Sequence, residues 1–291
     1  MGITDSFKTF CDNIKMSSDT ISKIQYRYHQ ITKRINNDYW NITSDTSHSL
    51  YVGSYGRDTE IYTSDIDMLV QLPSSVYHRF NNHSTNGQSN LLQEVKSVLQ
   101  KTYSTSHSKG DGQIISINFD DGINFEILPA FENTDGKSFT FGDSNSGGKW
   151  KVTNPRAEMD EINRINNQCN GNLKMLCKMA RVWKAENNVD ISGILIDILA
   201  CRFIVNWSNK DKSYLYYDFM SRDFFKYLSE LTTQSSWKAM GSDRYIYDNG
   251  YFQAKAKKAY NLALEAIQYG DKHEDSANQK WREIYGTKFP S

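Results

Sequence analysis

The central segment VGSYGRDTEIYTSDIDMLVQL carries two groups of side chains suited to phosphate chemistry. Gly53 and Ser54 close one apolar run, and Asp65 and Asp67 open the next. A glycine lets a phosphate approach the backbone, and successive N–H groups with the Ser54 hydroxyl can bind its oxygens. Asp65 and Asp67 stand two residues apart, so on a strand both carboxylates point to one face. The segment therefore predicts a phosphate site beside a cation site.

A third acid and two metal ions complete this prediction. Two carboxylates on one face repel each other unless a cation lies between them, and Mg²⁺ suits a site made only of oxygen ligands. Glu126, in the segment NFEILPAF, is the candidate third ligand. Three carboxylates can bind two Mg²⁺ ions about 4 Å apart, and Mn²⁺ can substitute. Such a site favours attack of a nucleotide hydroxyl on an α-phosphate with release of pyrophosphate.

The composition bears on which partners and which cellular compartment we expect for this protein. The 291 residues include 34 Lys and Arg and 34 Asp and Glu, and this zero net charge argues against a nucleic-acid coat but permits local basic patches. Without a long apolar run or a signal-peptide pattern, we expect a cytoplasmic protein with no membrane partner. Six basic residues near the N-terminus are candidates for a surface that binds an RNA activator: Lys8, Lys15, Lys23, Arg27, Lys33 and Arg34.

Hydrophobic spacing predicts the elements that position the acids. Apolar residues three to four apart predict helices at 3–15, 18–40 and 90–101. Apolar runs predict strands at 48–53, 66–72, 113–119 and 124–131. Asp121-Gly122 predicts a hairpin turn, and residues 132–150, rich in Gly, Ser, Asn and Asp, predict a long loop.

The second half of the chain reads as helix alone. Predicted helices lie at 155–168, 171–188, 192–206, 213–231 and 250–269. The fold class is therefore α+β, with N-terminal helices over 1–40 that bridge two lobes, a sheet-containing catalytic lobe over 41–153 and an all-helical lobe over 154–291. Ligands commonly bind in clefts between lobes, so we expect the active site there.

These motifs resemble those of a known enzyme family. GSYGRDTEIYTSDIDMLV resembles the G-S…D-x-D signature of DNA polymerase β-like nucleotidyltransferases. FEILPAF, GKWKVTNP and NLKMLCKMARVWK follow as in the branch of bacterial cGAS/DncV-like enzymes (CD-NTases) and animal oligoadenylate synthases. The resemblance covers residues 20–205. It implies a polymerase β-like nucleotidyltransferase lobe with a small mixed sheet, followed by a helical nucleotide-binding lobe.

The resemblance also implies residue roles. Ser54 would contact the donor triphosphate, and the three acids would hold Mg²⁺. Lys174 matches a family lysine that binds donor phosphates, and Ser192 matches a polar donor-contacting position at a helix start. The alternatives are a solvated helix lysine for Lys174 and an ordinary N-cap for Ser192.

Two departures from the family pattern affect the site. Gly193 stands where the family often has an aromatic residue that stacks on the donor base, and Glu126 stands where the third acid is commonly Asp. The base therefore cannot be inferred from the resemblance. Candidates for reading a base edge precede the Lys174 helix, with helix capping as the alternative: Asn166, Asn167 and Asn170.

The implied function is synthesis of a cyclic oligonucleotide, first of all a cyclic dinucleotide, from ATP, GTP, UTP or CTP. In the bacterial branch such products are second messengers of anti-phage defence (CBASS) that bind effector proteins. The alternatives are a transferase that makes linear oligonucleotides, tails RNA or modifies bases, and an RNA sensor with a degenerate site. The intact set of three acids argues against the sensor. The nucleobases, linkage, ring size and activating signal stay open at this point.

Overall fold

The computed structural model describes residues 2–61, 65–104, 107–248 and 250–291. The chain divides into two compact units that interleave along the sequence. The helical unit comprises Met1–Lys15, Arg57–Tyr62 and Glu158–Ser291, and the sheet unit comprises Met16–Gly56 and Thr63–Ala157. These divisions differ from the predicted boundaries after residues 40 and 153. The main difference is the short segment 57–61, which lies between the G-S and D-x-D motifs in sequence and belongs to the helical unit.

Helices and strands alternate through the first half of the chain, and helices dominate the second. The helices are α1 (Ile3–Asn13), α2 (Ser18–Ile35), α3 (Gly53–Gly56), α4 (Ser74–Asn81), α5 (Gly87–Gln100), α6 (Pro155–Gln168), α7 (Asn172–Glu186), α8 (Gly193–Ile204), α9 (Tyr217–Glu230), α10 (Gln253–Tyr269) and α11 (Glu274–Tyr285). The strands are β1 (Ser49–Tyr51), β2 (Asp65–Gln71), β3 (His107–Asp111), β4 (Ile114–Asn118), β5 (Asn124–Glu132), β6 (Phe139–Asp143), β7 (Lys149–Thr153), β8 (Ser236–Lys238) and β9 (Tyr245–Tyr247). Among the residues described, no helix is long and apolar enough to cross a membrane.

The sheet unit is built on a mixed sheet with the order β1-β2-β5-β4-β3, and β6 joins β5 to β7. β2 and β5 run parallel, whereas β1 pairs antiparallel with β2, and β4 with β5. Strand residues alternate between the two faces of a sheet. Ile66 and Met68 of β2 therefore share one face, where they are fully buried in a core with residues of α2 and α5.

The opposite face of β2 and β5 changes from acidic to apolar along the strands. Leu69, Leu128 and Ala130 occupy its apolar part, packed with Phe139 and Phe141 of β6. Three acids lie on the same face, nearer the start of the two strands: Asp65, Asp67 and Glu126. The apolar part holds the sheet together, and the start of both strands is left for polar chemistry.

The helical unit has its own core, to which the N-terminal helix belongs. Phe7 of α1 packs edge-on against Trp281, with ring centroids 4.9 Å apart, and Phe10 lies 4.6 Å from Tyr285. Aromatic pairs at these separations add stabilisation beyond the burial of their area. The two predicted N-terminal helices thus belong to different units, α1 to the helical unit and α2 to the sheet unit.

Most predicted elements are confirmed. The helices α1, α2 and α5 to α10 and the strands β2, β4 and β5 appear within a few residues of their predicted bounds. The hairpin turn is confirmed as well: Gly122 has φ +81° and its N–H donates to the Phe119 carbonyl at 3.0 Å. The predicted strand 48–53 is shorter, because Gly53 begins the helical turn α3.

Two predictions of irregular or helical structure are wrong. Residues 132–150 are not a loop, since β6 and the start of β7 form a hairpin there, with Phe139 and Phe141 buried. The second half is not helix alone, since β8 and β9 pair. These strands are three to five residues long and flanked by turn residues, so they show little periodicity. The pattern also missed α4, α11 and β3.

A buried ion cluster holds the segment 57–61 in the helical unit. Asp197 of α8 is fully buried. Arg181 of α7 donates to both of its carboxylate oxygens, at 2.6 and 3.0 Å, while Arg57 Nε and Thr59 Oγ1 donate at 2.9 and 3.0 Å. Burial alone would raise the pKa of Asp197, but the two guanidinium groups hold it below its ordinary value.

The turn after β1 brings the backbone of Gly53 against Asp67. The Val52 N–H donates to the Asp67 carbonyl at 2.9 Å, and the Gly56 N–H donates to the Val52 carbonyl at 2.9 Å. Gly53 has φ +60°, and a Cβ placed on it would overlap Asp67 Oδ2. Both the backbone conformation and the space beside Asp67 therefore require glycine here.

We expect Asp197→Asn to destabilise the protein by ~3–5 kcal/mol, because it removes the charge of the carboxylate that both buried guanidinium groups bind and leaves Arg57 with the longer ion pair to Glu158, at 3.7 Å. Denaturant unfolding followed by circular dichroism measures this loss. The matched control is Asp12→Asn, which removes the ion pair with Lys15, both exposed. That control should cost less than ~1 kcal/mol. Equal losses in the two variants would contradict a structural role for the cluster.

We expect Gly53→Ala to reduce catalytic activity and stability together, because the added methyl group displaces the Asp67 carboxylate. Gly136→Ala is the control, since Gly136 lies in the same unit, has φ +65° and leaves open space for a Cβ. Both variants carry the strain of a positive φ, of order 1 kcal/mol. Only Gly53→Ala should lose the nucleotidyltransferase activity that the sequence motifs imply. Similar activities in the two variants would rule out the contact with Asp67 as the cause.

Candidate active site

The register of β2 on β5 brings the three predicted acids onto one face of adjacent strands. Asp67 pairs with Glu126, and Asp65 pairs with Asn124. Residues directly opposite each other on neighbouring strands have side chains on the same face, within reach of each other. The Asn124 side chain donates to Asp65 Oδ1 at 3.1 Å, which orients that carboxylate. Asn124 was missed in the sequence because only the register reveals its position.

The three carboxylates influence one another electrostatically. Burial raises the pKa of Glu126, and the negative charges of Asp67 and Asp65 raise it further. Like charges disfavour the ionised form, and a divalent cation removes that penalty. A set of carboxylate oxygens is also the ligand chemistry that Mg²⁺ prefers. By charge and ligand type, these residues fit a magnesium site.

The side chains have not converged into a ligand cage. Within the described parts of the chain, no group of three or more His, Cys, Asp or Glu side chains lies close enough to hold a metal ion. Carboxylates of like charge repel one another, and a cation bound between them removes that repulsion. The strand register is in place, and binding of Mg²⁺ by Asp65, Asp67 and Glu126 stays a prediction.

The predicted phosphate-binding residues start the short helical turn α3. Gly53 touches the Asp67 carboxylate, as described above, so the candidate phosphate loop and the candidate metal ligands are immediate neighbours. The N–H groups in the first turn of a helix have no partner within the helix, and they can bind an anion. Ser54 follows and is half-buried. The arrangement suits a phosphate that also coordinates the cation.

Lys174 lies on α7 and is not the solvated helix lysine of the alternative interpretation. Its side chain is only 20% exposed, and its ammonium group lies 3.3 Å from Asp58 Oδ2. Lys178, one turn later, lies 2.7 Å from the other oxygen of Asp58. The sequence prediction missed Lys178, although the spacing of four residues, which places two side chains on one helix face, could have indicated it.

Ser192 is the N-cap of α8. Its hydroxyl accepts from the Leu195 N–H at 3.3 Å, and its own N–H donates to Asp248 Oδ2 at 2.8 Å. The capping interpretation therefore describes the observed contacts, and a donor contact of Ser192 stays a prediction. Gly193 lies against Arg181, which donates to the Gly193 carbonyl at 3.0 Å.

The asparagines before α7 make local contacts. Asn166 Oδ1 accepts from the Lys174 N–H at 3.0 Å, and Asn170 donates to the Lys212 carbonyl at 3.4 Å. Asn166 therefore caps the helix that carries Lys174. Asn167 is exposed. Reading of a base edge by any of the three stays a prediction.

The basic residues near the N-terminus are largely ion-paired. The Lys15, Lys23 and Arg27 side chains lie 2.6–2.8 Å from carboxylates, and Arg34 pairs with Asp38. Each pair cancels local positive charge, which lowers the attraction for a phosphate backbone. Lys8 and Lys15 also belong to the helical unit, whereas the other four belong to the sheet unit. These pairs weaken the case for a basic RNA surface.

The solved structures of two bacterial proteins resemble this fold over most of its length. The Escherichia coli MS115-1 CdnC, in its HORMA-deltaN complex, superposes with a TM-score of 0.72 at 12% identity and covers 99% of this chain and 98% of its own. The same protein has been solved with ATP. The apo form of Vibrio cholerae DncV has a TM-score of 0.66 at 14% identity, covering 84% of this chain and 69% of its own. These likenesses confirm the α+β nucleotidyltransferase fold.

Sequence comparison assigns the family. A cyclic AMP-AMP-AMP synthase of Acinetobacter sp. (strain ATCC 27244 / 9458) is 21% identical over 256 residues, 84% of this chain and 73% of the relative. The model of the Second Messenger Oligonucleotide or Dinucleotide Synthetase domain (SMODS) matches residues 1–166, more than half of the chain. That span contains Gly53, Ser54 and all three acids. The resemblance noted in the sequence is thereby confirmed: this chain belongs to the SMODS family of cGAS/DncV-like nucleotidyltransferases.

Proposed function

We propose that this nucleotidyltransferase joins nucleoside triphosphates into a cyclic oligonucleotide, by attack of a ribose hydroxyl on an α-phosphate with release of pyrophosphate. The observation that carries the proposal is the β2–β5 register, which brings Asp67 opposite Glu126, with Asp65 on the same face and Gly53 against Asp67. The name of the Acinetobacter relative supports a cyclic product. The complex of CdnC with ATP supports a triphosphate substrate.

Each group has a distinct role in this proposal. Asp65, Asp67 and Glu126 hold two Mg²⁺ ions, or Mn²⁺ in their place. When bound, such ions lower the pKa of an attacking hydroxyl and neutralise charge on the phosphate. The backbone at Gly53 and the Ser54 hydroxyl orient the triphosphate. Lys174 and Ser192 contact the donor nucleotide.

The product is a second messenger that acts through a downstream effector protein in anti-phage signalling of the CBASS type. A cyclic dinucleotide is our first expectation, whereas the name of the Acinetobacter relative describes three AMP units. The experiment below must therefore also determine how many nucleotides the ring contains. Linear synthesis or RNA tailing is the alternative within the same chemistry. We place the enzyme in the cytoplasm, where its nucleotide substrates are.

Incubation with the four nucleoside triphosphates and Mg²⁺ or Mn²⁺, followed by phosphatase and mass spectrometry, tests this function. A closed ring has no terminal phosphate and survives phosphatase, whereas a linear product loses its terminal phosphates. Asp65→Asn with Asp67→Asn should lower the rate at least roughly 10³-fold, because loss of the metal removes several kcal/mol of transition-state stabilisation. Asp111→Asn with Asp120→Asn, two exposed acids, is the control with the same change in charge.

Either of two results would overturn the proposal. A fully active Asp65/Asp67 double variant would remove the metal assignment. A product that loses terminal phosphates to phosphatase would replace cyclic by linear synthesis.

We expect Glu126→Gln to stabilise the metal-free protein at neutral pH. Because the pKa of Glu126 is raised in the folded state, its contribution to stability is full below its ordinary value and is lost as pH rises through the raised value. In EDTA, the variant should therefore unfold at higher denaturant concentration than the wild type at pH 7 and at the same concentration near pH 4. Added Mg²⁺ should stabilise the wild type more than the variant. Equal stabilisation of both proteins by Mg²⁺ would contradict a metal contact of Glu126.

A further inference from the structure

We propose that Lys174 and Lys178 together bind the triphosphate of the donor nucleotide, and that the Asp58 carboxylate competes with this triphosphate for the same two ammonium groups. The inference rests on the proposed function, because it takes a nucleoside triphosphate as the ligand. It adds a second phosphate-binding lysine and an internal competitor to that function. Lys174, Lys178 and Asp58 all belong to the helical unit.

The two ammonium groups converge on one anion. Lys174 Nζ lies 3.3 Å from one carboxylate oxygen of Asp58, and Lys178 Nζ lies 2.7 Å from the other. The lysines are four residues apart on α7, which places them one turn apart on the same face. Two ammonium groups that bind the two oxygens of a carboxylate can bind two oxygens of a phosphate in the same way. The geometry of an anion site is therefore already present.

Burial differs between the cations and the anion. The side chains of Lys174 and Lys178 are 20% and 16% exposed, whereas that of Asp58 is 59% exposed. Packing already orders the two lysine side chains. They therefore lose little further conformational entropy when they bind a ligand. Ion pairs with an exposed partner contribute little to stability. A triphosphate carries several negative charges, whereas the Asp58 carboxylate carries one. It can therefore displace that carboxylate from the two lysines.

A second acid next to Lys178 does not replace the lost partner. Glu60 lies 3.8 Å from the Lys178 ammonium group, beyond hydrogen-bond distance. Its Oε2 is buried with no hydrogen-bond partner among the described residues, and burial raises its pKa. When the Asp58 carboxylate moves away, Lys178 keeps the longer ion pair with Glu60, and a phosphate oxygen can take the position that Asp58 leaves.

The backbone keeps Asp58 in place as a competitor. Asp58 has φ +54°, a conformation that aspartate tolerates better than most residues. Its two neighbours, Arg57 and Thr59, both donate to the buried Asp197. The backbone on both sides is therefore anchored, so the carboxylate leaves the lysines by side-chain rotation and returns when the ligand departs.

Equilibrium binding of a non-hydrolysable ATP analogue and of inorganic triphosphate to the full chain tests the proposal by calorimetry. Inorganic triphosphate isolates the phosphate contacts, since it has neither base nor ribose. Lys174→Gln and Lys178→Gln should each weaken both ligands roughly tenfold, the effect of losing one charge-assisted contact. Asp58→Asn should tighten both about two- to fivefold, which is the range expected for release of an exposed ion pair.

Matched controls separate this effect from general changes in charge. Lys184→Gln changes a lysine near the end of the same helix, and Asp243→Asn changes an exposed aspartate with the same φ of +54°. Both should bind like the wild type. Thermal unfolding of every variant shows that each is folded at the temperature of the binding measurement.

The outcomes distinguish this inference from the proposed function. Unchanged binding by Lys178→Gln, or unchanged or weaker binding by Asp58→Asn, overturns the inference even when the wild type makes a cyclic product. Loss of binding in the lysine variants with a gain in Asp58→Asn supports it. That support stands even when the wild type makes no cyclic product, in which case the proposed function fails alone.

Discussion

Backbone hydrogen bonds between β2 and β5 decide which side chains share a face of the sheet, and the candidate active site depends on this pairing. In the observed register Asp67 lies opposite Glu126, and Asp65 lies opposite Asn124. A slip of β5 by one residue would turn Glu126 into the core and Phe125, now fully buried, to the acidic face. The apolar residues farther along both strands prevent that slip, because Leu69 and Ala130 must stay packed against β6. The same alternation thus stabilises the sheet and brings the acids together.

The buried Asp197 imposes a second constraint, on the segment between the G-S and D-x-D motifs. A fully buried carboxylate is costly unless it is paired, and two arginines and a threonine satisfy it. Arg57 and Thr59 come from the segment that follows Gly53–Gly56 in the sequence. That segment therefore has two tasks: it completes a buried ion cluster, and it holds Asp58 over the lysines of α7.

The charges of the site and of the N-terminal region support a synthase over an RNA sensor. Burial and then the charges of Asp67 and Asp65 raise the pKa of Glu126, and such repulsion between acids has a use where a cation binds. A degenerate site would have no reason to keep it. The N-terminal basic residues, by contrast, largely carry their own carboxylate partners. Asp65, Asp67 and Glu126 lie together on one face of the sheet, where the proposed Mg²⁺ ions and triphosphate would bind.

The amino-acid sequence by itself determined the local features: the G-S and D-x-D motifs, the third acid, the lysine on α7 and most long helices. These depend on residues close together in the chain, where periodicity and residue type are visible. Only the tertiary structure decided the β6–β7 and β8–β9 hairpins, the place of α1 in the helical unit, and the contact of Lys178 with Asp58. Arg57 meets Asp197 across 140 residues of sequence, and Lys178 meets Asp58 across 120. Contacts at such separations leave no local pattern, because they exist only after the chain has folded and brought their elements together.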